Sequence, residues 1–518
     1  DVVMQYFDPV NFSSSFSNFF TSEPRIKLDF FITFFKELSI SFWNILYSVL
    51  ISINFIFMII LFENIFLIYF ILSLYLISKK LALFFFKNDK NENYILSYIL
   101  TIIVSTYVIF LAIILRLYNN YIIYLLSTIC LIFPLFYLYE IKKFDFEKLV
   151  KDRIFLLFIP YFIISLFPAS DPDSLDYHLG AAKFWTENEQ NLPLHNWLHF
   201  RLASYGETLN IFSILMFGGK LLSFLKVFLL FLITKIIYEN YKKIKNINFF
   251  IYSLLGSPIL IYFISNQKPQ FIGFLILIFC ISLLNFKNNE YFISILLAYV
   301  SSLKFSFIPI ILILIIFFLI LKNLDKKKFI LSISFFLLLF WMPILLKNYF
   351  FYSNPMSPFF ESLLSNSPND TVINFSNMLK NFSEFGYSKF YQILSVFIPL
   401  NIGALTTCFG ISILLFILLK FKKKKSKEYI ILSLIIILTH FLIGQISTRY
   451  LYFSYFLIIY CSIFTEIKFK NILNPVLILQ TVIIYFFLLF ISFSNFPSLI
   501  NEKQKREYLS NKAYQYQE

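Results

Sequence analysis

Asp171, Asp173, Asp176, Tyr177 and His178 crowd into the stretch SDPDSLDYHLGAAKFW, residues 170–185, of a chain otherwise dominated by phenylalanine, isoleucine and leucine. As a helix capped by Asp173, the stretch places Asp176 and Tyr177, three and four residues on, on the same face as the cap. Carboxylates converging at a membrane boundary are costly unless paired or used, and their natural chemistry is removal of a proton from a hydroxyl. If two of them approach closely, one has a raised pKa and only the other serves as base. The competing reading is a capped surface helix with solvated charges. Glu207, in LASYGETLNIF, is a further acid downstream.

Three cations stand at the ends of apolar runs: Lys304 in SSLKFSF, Lys347 in LLKNYFFYSNPMSPF, and Arg449, followed by Tyr450, in GQISTRYLYFSY. An arginine fork matches phosphate oxygens bidentately and a lysine supplies a point charge, so together they suit an anionic lipid headgroup. The alternative is snorkelling to the interface. His195 and His199 have the i, i+4 spacing of a helical metal pair, but Pro193 lies beside them and no HExxH signature is present. No metal or other cofactor is therefore expected, a divalent ion being the minor alternative.

The elements that must position these groups are membrane helices. The 518 residues are 59% hydrophobic and 14% charged, far from the balance of a soluble domain. Apolar runs of about 17–25 residues recur from about residue 40 to 494. The spacing predicts an all-α polytopic bundle of about 15 spans, among them 40–60, 62–79, 153–169, 248–264, 392–419 and 449–466. Unbroken runs exclude a membrane barrel, whose spans alternate in polarity. The net charge of +15 does not point to nucleic acid, because the lysines cluster in short loops between runs, as in cytoplasmic loops of membrane proteins. The cysteines Cys130, Cys280, Cys408 and Cys461 lie inside apolar runs without metal or disulfide spacing.

Every lysine-rich loop falls on one side of the span count, which places segments 170–219 and 348–391 on the outer face of a plasma membrane. Residues 1–140 read as an N-terminal extension of four spans, 141–391 as a core holding both external loops, 392–495 as C-terminal spans and 496–518 as a polar tail. The chain begins at Asp1 and lacks signal-peptide features up to about Ser39, which reads as a truncated start.

Taken together, DSLDYHLGAAKFW, LASYGETLNIFSILMFGG, SSLKFSFIP, KNYFFYSNPMSPF and STRYLYFSY resemble the GT-C superfamily of membrane glycosyltransferases, bacterial members similar to dolichyl-phosphate-mannose-protein mannosyltransferases included. The resemblance covers roughly residues 153–466. It implies a GT-C-like core with short interfacial helices in the first external loop, and a polyprenyl-phosphate sugar as donor. Two departures stand out: the four extra spans before the acidic loop, and Lys268-Pro269 where many bacterial members carry an acid.

The resulting expectation is an inverting glycosyltransferase acting on an extracytoplasmic glycan, lipid or protein acceptor. Asp173 is the expected base, with Asp176 or Asp171 as helper or substitute. Arg449 with Lys304 or Lys347 holds the donor phosphate, and Tyr177, His178, Glu207 and Tyr450 line the substrates. Alternatives are an O-antigen polymerase or ligase, and a transporter or lipid flippase, which would show charges at mid-span and broken helices.

Overall fold

The computed structural model describes residues 56–86, 91–136, 152–169, 171–188, 198–283, 289–320, 324–364, 370, 372–374, 389–399, 406–414, 418–420, 424–443 and 447–496. His195, with the rest of 189–197, lies outside them, as do residues 1–55 and the tail beyond 496.

The described chain is all-α apart from one two-residue antiparallel pairing, Leu419–Lys420 (β1) with Glu466–Ile467 (β2). In a bilayer a helix satisfies its own backbone, so long apolar runs take this form. In chain order the first helices are α1 (Ile56–Phe86), α2 (Asn91–Ile114), α3 (Asn120–Phe136) and α4 (Arg153–Ile164). The first acidic segment then gives α5 (Leu179–Asn188), α6 (Leu198–Leu202) and α7 (Tyr205–Phe217). The core follows with α8 (Leu221–Tyr241), α9 (Ile247–Leu255), α10 (Ile259–Ser265), α11 (Gln270–Leu283), α12 (Glu290–Leu303), α13 (Ile308–Ile320) and α14 (Lys326–Tyr352). Last come α15 (Glu361–Leu364), α16 (Lys389–Phe397), α17 (Lys424–Ile443), α18 (Thr448–Cys461) and α19 (Lys470–Asn495).

Among the described residues six helices, α1, α2, α8, α14, α17 and α19, are long and apolar enough to cross a membrane, and α9 with α10, bent by 58°, make a seventh if counted as one span. Of the fifteen expected spans, 40–60 lies mostly outside the described residues, and among the described residues these six or seven meet the length a span needs. The remaining apolar runs form shorter helices such as α4, α11 and α12; at 1.5 Å per residue, a 14-residue helix such as α11 reaches only about 21 Å of a core roughly 30 Å thick. The boundary expected between 60 and 62 is also absent, since α1 runs through it as one helix of 31 residues.

The run 392–419 is not a span. Its described parts are α16, a 3₁₀ turn at Ile411–Leu414 and β1. Phe409 N–H bonds back to the Val396 carbonyl at 3.0 Å, and Gly410 adopts φ +73° against the Gln480 side chain, where an added Cβ would sit 2.8 Å from Nε2. Glycine tolerates that left-handed turn, and it reverses a chain whose composition alone reads as continuous.

Burial sorts the helices into an inner and an outer set. Every residue of α11 is buried, and nearly every residue of α18. On α14, Leu331, Phe335, Leu338 and Met342 are exposed at helical spacing, a stripe suited to lipid contact.

Candidate functional site

The acidic segment enters directly after α4, and its cap is Asp171 rather than Asp173. Asp171 Oδ2 accepts both Ser174 N–H and Ser174 Oγ–H at 2.9 Å, while Asp173 already has helical angles and makes no cap bond. A five-residue π-helical turn follows, Ser174–His178. This wider turn displaces later side chains relative to an α-helix. It buries Ser174 and His178, half-buries Tyr177 and leaves Asp176 exposed. The structure does not bring Asp176 to the other two carboxylates' partner.

That partner is Lys268. Its ammonium donates to Asp173 Oδ2 at 2.7 Å, to Asp171 Oδ1 at 3.2 Å and to the Tyr262 hydroxyl at 2.8 Å. The lysine side chain is 3% exposed, Asp171 19% and Asp173 49%, so Asp173 is the carboxylate open to a ligand. Burial alone would raise the Asp173 pKa, but the Lys268, Arg449 and Lys304 charges hold it below the usual carboxylate value. Lys268 is stabilised as ammonium by Tyr262 and both aspartates against its burial.

The turn between α10 and α11 that carries Lys268 is braced from three directions. Gln267 N–H donates to Ser174 Oγ at 2.9 Å, and Gln267 Nε2 to Ser223 Oγ at 2.6 Å. Lys226, fully buried in α8, donates to the Asn266 carbonyl at 2.7 Å, to Asn266 Oδ1 at 2.9 Å and to the Phe263 carbonyl at 3.1 Å. Gly206 lies so close to Pro269 that an added Cβ would stand 2.4 Å from Pro269 Cγ, and only glycine permits that approach.

Arg449, in the first turn of α18, places Nη1 4.0 Å from Asp173 Oδ2 and its guanidinium 5.1 Å from the Tyr450 ring centroid. Tyr450 stacks on His440 with ring centroids 6.0 Å apart. Lys304, between α12 and the next helix, has its pKa lowered by burial and by the Arg449 and Lys268 charges, against Tyr450 and Glu207. Three cations thus act on Asp173.

Glu207 and His178 form a buried layer beneath. His178 Nδ1 is 2.9 Å from Glu207 Oε1, and Glu207 Oε2 accepts the Ser204 N–H at 2.8 Å in a capping box that starts α7. Burial pushes Glu207 up to about 7 and His178 well below its ordinary value. Asn210, one turn along α7, donates to the carbonyls of His178 and Gln267, tying this layer to the Lys268 turn. The Tyr177 pKa is raised by burial and by the Asp173 and Glu207 charges.

Lys347 lies elsewhere. Its ammonium donates to the carbonyls of Phe200, Arg201 and Ala203 at 2.9, 3.5 and 2.6 Å, so it closes the end of α6 instead of facing a phosphate. Beside it Arg201 Nη1 bonds Ser357 Oγ at 2.8 Å and Glu361 Oε1 at 3.2 Å, with Tyr352 under the guanidinium. Sequence reading passed over Lys226, Arg201 and the pairing role of Lys268. A lysine inside the run SFLKVFLL was the available signal, since a charge there needs a partner. Among the described residues no three His, Cys, Asp or Glu side chains gather to hold a metal ion.

No curated protein and no solved structure matches the chain. The family described as DUF1420 N-terminal domain matches residues 70–509, which include every residue of the Asp171–Asp173–Lys268–Arg449 cluster. With that match covering most of its length, the chain belongs to the DUF1420 N-terminal domain family.

Proposed function

We propose that the protein is an integral-membrane glycosyltransferase with a GT-C-like core, taking a sugar from a polyprenyl-phosphate donor to an acceptor hydroxyl at the outer face of a plasma membrane. The observation that carries the reading is the half-exposed Asp173 carboxylate with Lys268, Arg449 and Lys304 acting on it. Acceptor oxygen attacks the anomeric carbon, the bond from that carbon to the phosphate oxygen breaks with its electron pair leaving on phosphate, and the acceptor proton passes to Asp173. Arg449 and Lys304 then stabilise the charge gathered on the leaving phosphate. A carboxylate with a lowered pKa is a weak base, but a sugar centre reacting through an oxocarbenium-like state needs the proton removed only as the new bond completes. Asp171, which caps the turn and is less exposed, positions Lys268.

A transporter reading draws on one specific pair of observations: Lys226 buried within a long apolar helix and the 58° break between α9 and α10. Against it, Lys226 is held by three oxygens of the turn that supports the acid site, so its local duty is already set.

The deciding experiment incubates the full chain in nanodiscs with a radiolabelled polyprenyl-phosphate sugar and a membrane extract as acceptor source. Label moving into a new product, and not moving with Asp173→Asn, supports the transferase. Unchanged donor with vesicle-to-vesicle movement of the intact lipid overturns it in favour of transport.

A further inference from the structure

A groove of about 580 Å³ runs between α1 and α2 on one side and α4 and α8 on the other. Phe155, Ile159 and Phe162 of α4 and Leu166 in the turn after it line it as one stripe, and Phe224 to Glu239 line it along α8. From Phe155 to Leu166 the stripe extends about 16 Å at the helical rise. Ile68, Ile159 and Ile163 at its edge are about one-third exposed, so the groove opens sideways, where helices of this length and composition meet lipid.

Its two ends differ. At one end stand Lys235 and Glu239, with Lys235 paired to Asp152 at 2.8 Å. The other end closes on the candidate site. Leu166 precedes Asp171 by five residues, and Phe224 adjoins Ser223, whose hydroxyl donates to the Asn266 carbonyl at 3.1 Å in the turn that presents Lys268. A second apolar pocket, about 200 Å³ and sharing no lining residue with the groove, is bounded by Leu451, Tyr455 and Phe441 beside Arg449 and His440. Leu451 stands two residues after Arg449 on α18, so a donor whose phosphate sits at Arg449 has that pocket for its chain. The groove at the Asp171 end is left for another lipid.

We propose that this groove holds the hydrocarbon chain of a lipid acceptor, with its hydroxyl-bearing end at Asp171 and Asp173. The acceptor class follows from the transferase reading and rests on it; the lipid site itself rests on the groove. Ile68, Leu72 and Tyr75 of α1 and Ile95 of α2 line one side of the groove, so the N-terminal helices supply a wall against which the acceptor chain lies.

The test fills the groove with Leu72→Trp or Ile159→Trp, using Leu312→Trp, on a lipid-exposed face of α13, as control. The full chain in nanodiscs is photolabelled with a diazirine-tagged octadecyl alcohol. Labelled peptides from α4 and α8, reduced about tenfold or more by either groove variant and unchanged by the control, are expected. Labelling that ignores the groove variants, or that maps to a segment outside α1, α2, α4 and α8, overturns the site. In the transfer assay both groove variants lower kcat/KM about tenfold for an octadecyl-chain acceptor and leave its butyl analogue unchanged. Equal losses for both analogues, or a rise in donor KM instead, overturn the acceptor assignment. Groove labelling in a protein that transfers no sugar to any acceptor overturns the transferase reading and the acceptor role with it, while the lipid site stands.

Discussion

The charged clusters around Arg201 and around Lys268 differ in one respect above all. Around Arg201 the guanidinium, the Glu361 carboxylate and the Lys347 ammonium are sealed, with Arg201 and Glu361 side chains 4% and 3% exposed, and their hydrogen bonds go to Ser357, Asn354 and backbone carbonyls. Around Lys268 the cation is equally hidden, but Asp173 is 49% exposed. A sealed cluster fixes the segment 348–364 against α6. An open one leaves a carboxylate with electrostatic support and room for a partner. Access to solvent, and not residue type, is what distinguishes the two clusters.

The widest expected gap is in turnover. In the proposed transferase Asp173→Asn keeps the shape and removes the proton acceptor, so transfer from a lipid-linked donor is expected to fall about 10²–10⁴-fold, while Asp171 and Tyr262 still hold Lys268 and the chain stays folded. Wild-type turnover in that variant would erase the distinction between the clusters. In the sealed cluster the effect reverses: Glu361→Ala leaves a buried guanidinium without its carboxylate and is expected to cost about 3–5 kcal/mol. Chemical denaturation in detergent reads it directly, and a loss below about 1 kcal/mol, the range of an exposed pair, would mean the cluster is not sealed in solution.

Arg449→Lys sharpens the open side. The charge stays and the bidentate fork goes, so donor use is expected to weaken about tenfold, or about 1.4 kcal/mol, with Arg449→Ala weaker still. A donor-concentration series in which both variants match wild type removes Arg449 from phosphate binding.

The smallest effect is in pH dependence, and it concerns Glu207 in the layer beneath. Its folded pKa of about 7 lies above the ordinary 4.5, so the folded state holds the proton longer than the unfolded one and its stabilisation is lost as pH rises through 7. His178, lowered in the folded state, has the opposite slope, which fades as pH rises above the ordinary histidine value. Thermal melts between about pH 6.5 and 7.5 should therefore decline with rising pH in wild type and flatten in Glu207→Gln. Identical slopes in the two proteins would refute the protonated Glu207.

The acid segment and Arg449 were legible because charged residues stand out against apolar runs, and the all-α class because those runs are long. The Asp171 cap was not, since Asp171 and Asp173 are chemically equal candidates two residues apart and only the backbone decides between them. Lys268 was visible as a departure from the resembled pattern, but its bridge to both aspartates is a contact across nearly a hundred residues that no spacing encodes. Lys347 looked like Lys304 and Arg449 because all three end apolar runs; its three carbonyl partners come from α6 and the residue just after it, a short element without a periodic signal. The run 392–419 misled because hydropathy sums composition, whereas Pro399 and Gly410 act singly.

The π turn at Ser174–His178 carries a consequence for length changes. Such a turn is an α-helix with one residue inserted, and this one separates the capping Asp171 and the neighbouring Asp173 from the buried His178. Deleting a single residue, Leu175, would let the segment relax to ordinary helix and rotate one side of the site against the other by about 100°. Both halves would keep their own side chains and lose their common register. A relative one residue shorter between the acid pair and the Tyr-His dipeptide would therefore share the sequence motif without sharing the arrangement, which makes the interval itself, rather than the letters in it, the feature by which members of the family can be sorted.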